Sequence, residues 1–388
     1  MSPFHGKLAG ACGHYKSLRK LGFRRQMLAF RSKDIAMLPT RFLCASLLLL
    51  PTAAFANDGY GGLSATGLTF GQTEAVAMQE EDLYFGPEKI KVAYVFQNLT
   101  DKDVTGEVIF PLPPIMLAAM MESAYNLPED IGRENLMNFK AVVDGIEVPV
   151  QIDRIAVIEP PWDENAPLSA QYDAPGRDVT ADLAALGLPL TLDTEAILAA
   201  IQSLSQAQRN EMAAKGLADF YQTEGVAPLP DDIYPKWSIV LRYHWTQTFP
   251  AGKQVQIAHE YESHPPGGLF GWEYPVTSDY LMDEKARYCV DDGTSKALVK
   301  ALTYKDGSDT YTMGVADNIS YVLRTANSWA GPIGKFRLTL DKGAAENVIS
   351  LCADGLKKTG PTTFVMEKAN FTPTSDLEIL LAKPMHPE

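Results

Sequence analysis

The chain has 388 residues and is acidic, with 48 Asp and Glu residues against 34 Lys and Arg residues and a net charge of −14. This charge repels phosphate backbones and anionic lipids, so it argues against nucleic-acid binding and against electrostatic attachment to a membrane. The length is sufficient for one large domain or two ordinary domains with hydrophobic cores of their own.

Residues 37–56 predict an export signal. Arg41 supplies a positive charge, Phe42 to Leu50 form a short apolar stretch, and the small residues of Ala54-Phe55-Ala56 form a cleavage site before Asn57. The apolar stretch is too short for a transmembrane helix, which needs about 20 apolar residues. We therefore expect a periplasmic or secreted bacterial protein that begins at Asn57 and has no transmembrane segment after the signal is removed.

Residues 1–36 are basic and lack periodicity, and we interpret them as a mis-assigned or non-structural extension ahead of a start at Met37. Arg24-Arg25 loosely resembles a twin-arginine signal, but charged residues interrupt the apolar run that should follow. Removal of residues 1–56 leaves 25 Lys and Arg residues against 47 Asp and Glu residues, a net charge of −22.

Four cysteines are present, and two of them, Cys12 and Cys44, lie in the leader. The other two, Cys289 and Cys352, are expected to form a disulfide because an exported protein folds in an oxidising compartment. Closing a loop of this length stabilises a fold by roughly 4 kcal/mol in the chain-entropy model. A metal pair or a reactive thiol is disfavoured, since neither cysteine has a Cys or His close by in sequence.

Residues 57–265 predict an N-terminal β-sandwich. The clearest strand is 89–98, where Ile90, Val92, Tyr94 and Phe96 occupy every second position. The polar stretch at 99–103 predicts a hairpin that returns along 104–110, and Asp144-Gly145 predicts a second tight turn. A third hairpin is expected between strands at 236–249 and 253–263.

The apolar period changes from two to about 3.6 within residues 178–222, which predicts a helical insert in the sandwich. Thr194 and Ser205 are expected to cap its helices. Residues 266–388 predict a C-terminal β-rich region with a short helix at 294–303. The predicted fold class is therefore mainly β, with antiparallel β-sandwich-like domains and an α-helical insertion.

No motif predicts a catalytic residue, a metal ligand or a cofactor. His259 and His264 frame an acidic stretch, but they are five positions apart, whereas two zinc ligands on one helix face are four apart. On a strand, an odd separation places the two side chains on opposite faces. We expect these histidines to be solvent-facing or hydrogen-bonded, and we keep His259 as a candidate contact residue.

Aromatic residues occur in loops rich in Pro and Gly. The segments 159–167, 264–275 and 327–335 contain Trp162, Trp272 and Trp329 respectively. Exposed rings at these positions would stack on a sugar or fill a partner's pocket. The alternative interpretation is that they cover the ends of the sheets as part of the core.

Several long phrases occur together in this chain: NDGYGGLSATGLTF, EDLYFGPEKIKVAYVFQNLTDKDVTGEVIFPLPP, WTQTFPAGKQVQIAHEY, TANSWAGPIGKFRLTLDKG and SLCADGLKKTGPTTFVMEKANFTP. They resemble the bacterial exported family known as domain of unknown function 4424 over nearly all of residues 57–388. The resemblance implies an exported protein, and it transfers no catalytic residue because that family has no established activity.

The sequence therefore favours a non-enzymatic binding or cell-envelope-associated module whose partner is an unknown envelope protein or glycan. Two alternatives stay open. The first is a carboxylate-dependent hydrolase of envelope glycans, and the second is a divalent-cation-binding protein, which the acidic charge would suit.

Overall fold

A computed structural model describes residues 59–385, apart from 65–66, 71–72, 113, 123–125, 162–175, 222–227, 230–231 and 322. All of these residues belong to the unit Pro51–Glu388. The predicted extension at 1–36, the predicted signal peptide at 37–56 and Trp162 lie outside the described residues. No described helix is both long enough and apolar enough to cross a bilayer.

Strands predominate in the described chain, as the predicted fold class requires. The strands are β1 Gly59–Ser64, β2 Gly67–Phe70, β3 Val76–Phe85, β4 Lys89–Asn98, β5 Val104–Pro111, β6 Ile115–Met116, β7 Lys140–Val143, β8 Ile146–Val148, β9 Gln151–Ile158, β10 Arg177–Asp178, β11 Ala218–Phe220, β12 Ile233–Pro235, β13 Ser238–Phe249, β14 Gln254–Glu262, β15 Gly267–Gly271, β16 Thr303–Asp306, β17 Asp309–Tyr321, β18 Ile333–Asp341, β19 Val348–Leu351, β20 Lys357–Lys358, β21 Thr363–Phe371 and β22 Leu377–Pro384. The helices are α1 Leu117–Glu122, α2 Thr180–Ala185, α3 Thr194–Ser203, α4 Gln206–Ala214, α5 Asp279–Arg287 and α6 Asp292–Leu302, with a 3-10 helix at Arg324–Ser328.

The described strands form two large sheets that pack face to face. One is a seven-stranded sheet in the order β10-β9-β13-β5-β1-β2, with β6 beside β13, and the other is an eight-stranded sheet in the order β20-β21-β18-β3-β4-β14-β7-β8. Aromatic rings from both layers meet in the core, where Phe96 lies 5.7 Å from Phe249, and Phe139, just before β7, lies 4.7 Å from Tyr243, centroid to centroid. The arrangement is a β-sandwich.

Two connections that the sequence predicts as hairpins instead pass from one large sheet to the other. β4 and β5 lie in different sheets, and so do β13 and β14. Asn98 forms hydrogen bonds to both connections: its Nδ2 donates to the carbonyl oxygens of Lys102 at 2.8 Å and Phe249 at 2.7 Å. Both hairpin predictions are wrong because alternation identifies a strand with one buried face, and either layer of a sandwich buries such a face.

The turn predicted at Asp144-Gly145 is present between β7 and β8. Both residues have left-handed backbones, with φ of 49° and 83°. This is the conformation that a two-residue type I′ hairpin requires, and Asp-Gly tolerates it well.

The helical insert lies where the sequence predicts it, as α2 to α4. Ser205 caps α4 through a capping box with Gln208, as expected. The cap of α3 is Asp193, whose side chain accepts from the amide of Ala196, and not the predicted Thr194. The buried faces of these helices join the core of the sandwich through Leu183, Ile197, Ile201 and Met212.

A third sheet, in the order β15-β17-β22-β19 with β16 beside β17, adds a layer to the sandwich. One of its faces contributes Ile379 and Leu381 to the main core. The other carries α5, which the sequence analysis missed, and α6, with Leu281 and Leu298 in a second core. A disulfide joins Cys289, between the two helices, to Cys352, just after β19, with their Cα atoms 5.0 Å apart.

β3 and β18 pair in parallel at the centre of the eight-stranded sheet, with Asp82 opposite Arg337. This sheet therefore contains strands from both of the regions predicted as 57–265 and 266–388. The predicted division at residue 265 does not separate one sheet from another.

Candidate binding face

The tryptophans proposed as surface contacts lie in the core wherever the structure describes them. Trp329 is 1% exposed, and its ring centroid lies 4.4 Å from that of Phe96. Trp272 is 3% exposed and donates from Nε1 to Ser295 Oγ at 2.7 Å. Neither indole is on the surface, and Trp162 lies outside the described residues.

His259 is also a core residue, so the first of the two expectations for it, solvent-facing or hydrogen-bonded, is wrong. It is 3% exposed, and its ring centroid lies 4.9 Å from that of Phe110 and 5.3 Å from that of Phe139. His264 lies 3.5 Å from Glu262 at the end of the same strand. The structure does not bring the two histidines into one site, and no group of three or more His, Cys, Asp or Glu in the described chain could hold a metal ion.

His244 lies on the outward side of the seven-stranded sheet but is only 6% exposed. Its Nδ1 is 3.1 Å from Glu107 Oε2 and its Nε2 is 3.3 Å from Asp153 Oδ2. The two carboxylates belong to the strands on either side of β13, so this histidine links three neighbouring strands.

The outward face of the eight-stranded sheet is different, because small residues occupy its centre. In the cross-strand register, Ala93 of β4 lies opposite Ala258 of β14, and Ala258 lies opposite Val142 of β7. Val95 is two positions along β4 from Ala93 and faces the same way. All four side chains are exposed or half-buried.

Small side chains between long ones leave a depression in the surface. Two adjacent depressions of about 880 Å³ and 660 Å³ are present, and Ala93, Val142 and Ala258 line both. We call this surface the trough, and we define its floor as Ala93, Val95, Val142 and Ala258.

Charged residues border the floor and alternate in sign from strand to strand. Next to the floor, the outward charges are basic on β18, acidic on β3, basic on β4, acidic on β14, basic on β7 and acidic on β8; they include Lys335, Arg337, Glu80, Asp82, Lys89, Lys91, Glu260, Lys140 and Glu147. The last residue of β18, Asp341, is an exception because it is acidic and also faces outward. Some of them pair across strands, since Lys335 Nζ lies 2.6 Å from Glu80 Oε1 and Lys89 Nζ lies 3.0 Å from Glu260 Oε1. The hydrogen bond from Lys89 holds the pKa of Glu260 below its ordinary value.

Three charged side chains beside the floor have no direct partner among the described residues, although the charge of Lys140 contributes to the lowered pKa of Glu260. Asp82, Lys140 and Glu147 are exposed and form neither an ion pair nor a side-chain hydrogen bond with any described residue. Tyr84 closes one side of the trough, and its hydroxyl lies 3.4 Å from Asp341 Oδ2. Partial burial, together with the charge of Asp341, raises the pKa of this phenol above its ordinary value.

Comparison with known families identifies the family to which the chain belongs. The sequence profile of the family described as domain of unknown function, DUF4424, matches residues 56–380. The chain belongs to DUF4424.

Beyond the family match, this DUF4424 protein shows only a weak likeness to a solved structure. A crystal structure of a "putative nutrient binding protein" from Legionella pneumophila subsp. pneumophila str. Philadelphia 1 is 15% identical, with a TM-score of 0.37 over 84% of this chain and 71% of that chain. At this TM-score, neither fold nor function is inferred from the likeness. No curated protein matches the chain.

The trough of this DUF4424 protein cannot be predicted from the sequence of any one strand. Ala93 and Ala258 do stand out as small residues between charged outward neighbours, Lys91 on β4 and Glu260 on β14. Within its own strand, each alanine is an ordinary surface position. Only the register of β4 with β14 shows that the two alanines lie side by side.

Proposed function

We propose that this DUF4424 protein is an exported, non-enzymatic binding module of the cell envelope and that the trough is its binding face. One observation carries the proposal: an apolar floor of small side chains lies open at the centre of the eight-stranded sheet. Ligand sites are typically concave and mostly apolar, with a few polar groups that fix orientation. Asp82, Lys140 and Glu147 are polar groups of this kind.

Two features support export. Residues 37–56 have the pattern of a secretory signal. The disulfide between Cys289 and Cys352 lies at an exposed position. An exposed disulfide persists in an oxidising compartment and is reduced in the cytosol.

Photo-crosslinking in living cells tests the binding face. A photoreactive amino acid replaces Gln256, which is exposed and borders the larger depression. We expect one reproducible adduct, and we expect it to disappear when Ala258→Trp fills the floor. The same photoreactive group at Lys300, an exposed position on α6, should give no such adduct.

Ala297→Trp is the matched control, because it adds the same side chain at an exposed position on α6. It should leave the adduct from position 256 unchanged. An adduct that also forms from position 300, or that survives Ala258→Trp, would show that the trough is not the binding face.

Export has a separate test. Protein recovered from the periplasm should begin at Asn57 and show no free thiol toward a thiol-reactive mass tag under denaturing conditions. Recovery of uncleaved protein from the cytosol in which Cys289 and Cys352 are both reactive, along with the leader cysteines, would contradict the proposal.

A further inference from the structure

We infer that the trough binds an extended polypeptide segment of mixed charge, laid across the strands of the eight-stranded sheet. The inference rests on the proposed function, and it names the chemical class of the partner. Four properties of the trough carry it: the balance of its charges, their spacing, the nature of its floor and its length.

The charges around the trough nearly balance, although the chain as a whole is acidic. The acidic residues that line the two depressions from outside are Glu80, Asp82, Glu147, Glu260 and Glu367, and the basic residues are Lys91, Lys140, Lys335 and Arg337. Glu81 and Lys368 also border the larger depression, but Glu81 is buried on the inner face and Lys368 lies opposite the buried Phe336, on that same face. A surface on which five acidic and four basic groups are interspersed suits a partner that carries both signs.

The spacing of the charges excludes polymers of a single sign. Neighbouring strands lie about 4.8 Å apart, so a partner that crosses them meets a charge of the opposite sign at each step. A polyanion would be repelled by Glu80, Asp82 and Glu260, and a polycation by Lys91 and Lys140. A polypeptide with interspersed acidic and basic side chains can avoid both kinds of repulsion.

The floor favours a peptide over a glycan. Aromatic rings give the flat apolar platforms on which a sugar ring stacks, and Tyr84 is the one aromatic side chain among the described residues that faces the trough. Tyr94 and Phe336 also border it, but both are buried on the inner face. Alanine and valine side chains instead leave room for a peptide backbone and small side chains to lie close to the sheet.

The dimensions predict the size and the pattern of the peptide. From Glu367 on β21 to Glu147 on β8 the trough crosses seven strands, which is about 29 Å. An extended chain rises about 3.4 Å per residue, so about eight residues fill it. Asp82 on β3 and Lys140 on β7 are three strand spacings apart across the sheet, about 14 Å, and two positions apart along the strands, about 7 Å. Their separation is therefore about 16 Å, so the basic and acidic side chains of the peptide should be about four to five residues apart.

Fluorescence anisotropy with the oxidised full-length protein tests the inference. The probe is a fluorescein-labelled octapeptide, Thr-Ser-Lys-Thr-Ser-Thr-Glu-Ser, in which Lys and Glu are four positions apart. Matched controls carry two Lys residues, two Glu residues, or Lys next to Glu. We expect the probe to bind at least about fivefold more tightly than each control, in keeping with the worth of one charge-assisted contact.

Variants of the protein locate the binding. Asp82→Asn and Lys140→Gln should each weaken binding of the probe about fivefold to tenfold. Ala258→Trp should abolish it, and Ala297→Trp should leave it unchanged. Circular dichroism and the melting temperature confirm that each variant is folded.

The outcomes separate this inference from the proposed function. If a chitotetraose probe binds and Ala258→Trp blocks it while the octapeptide does not bind, the peptide assignment is overturned and the trough is still a binding face. If no probe binds, the peptide assignment is likewise overturned, and the crosslinking experiment decides the proposed function alone. If the octapeptide binds Ala258→Trp as tightly as the unaltered protein, both are overturned.

Discussion

The two faces of the eight-stranded sheet are made by the same strands and have opposite compositions. On β4, Phe96 points into the core against Phe249 and Trp329, whereas its neighbour Val95 lies on the floor of the trough. On β14, His259 points into an aromatic cluster and Ala258 points out. Because successive side chains of a strand alternate, one sequence provides stability on one face and leaves the other free for the recognition that we propose.

The substitution with the largest expected effect on stability is Phe96→Ala, which removes a fully buried ring from the inner face. We expect the free energy of unfolding to fall by about 3–5 kcal/mol, because the loss of apolar transfer energy adds to the cost of a cavity. Val95→Ala, one position away, should change it by no more than about 0.5 kcal/mol. Urea denaturation monitored by tryptophan fluorescence measures both, and equal losses would show that the faces are not separate in energy.

Removal of the disulfide tests whether the fold can lose stability at a site outside the trough without a change in affinity for the octapeptide. Cys289→Ala with Cys352→Ala should cost roughly 4 kcal/mol, since the bond closes a loop of 63 residues. The folded double variant should still bind the octapeptide with unchanged affinity, because neither cysteine lines the trough. A tenfold loss of affinity in folded protein would contradict the comparison.

Glu260→Gln makes a smaller change on the outward face. The pKa of Glu260 is lowered by Lys89, so its pairing stabilises the fold above the unfolded pKa near 4.5 and is lost as the pH falls through the folded value. For an exposed pair we expect about 0.2–1 kcal/mol at pH 7. Denaturation at pH 7 and pH 3 measures the effect, and a difference from the unaltered protein that persists at pH 3 would assign it to something other than charge.

The smallest effect concerns the phenol of Tyr84. Burial and Asp341 raise its pKa above 10.0, so the related stability is present below pH 10 and is lost as the pH rises. Absorbance at the phenolate band, with Tyr84→Phe subtracted from the unaltered protein, isolates its titration. Asp341→Asn should lower the midpoint, and a midpoint at or below 10 would refute this account of the trough's edge.

Local features were the part of this fold that sequence could predict. The alternation at 89–98 gave β4 with its buried face, Asp144-Gly145 gave the turn, and the change of period gave the helical insert. Each of these depends on neighbours within a few residues. The disulfide followed from the count of cysteines and the expected compartment.

Features that depend on which strands meet could not be predicted. β4 and β5 share a short connection but belong to different sheets. β3 pairs with β18 although most of the chain lies between them in sequence. The tryptophans at 272 and 329 lie in loop-like sequence, yet the third sheet and the sandwich enclose them. The trough depends on the register of β4, β14 and β7, and no single strand contains that information.

The parallel pairing of β3 with β18 also bears on how the protein is made. Glu80 and Lys335 form one ion pair although 255 positions separate them in the chain. A polypeptide that emerges from its N-terminus therefore has Asp82 in place long before Arg337 exists beside it. Copies that terminate or are cleaved before β18 lack one wall of the trough, so we expect the trough to form only in the finished chain.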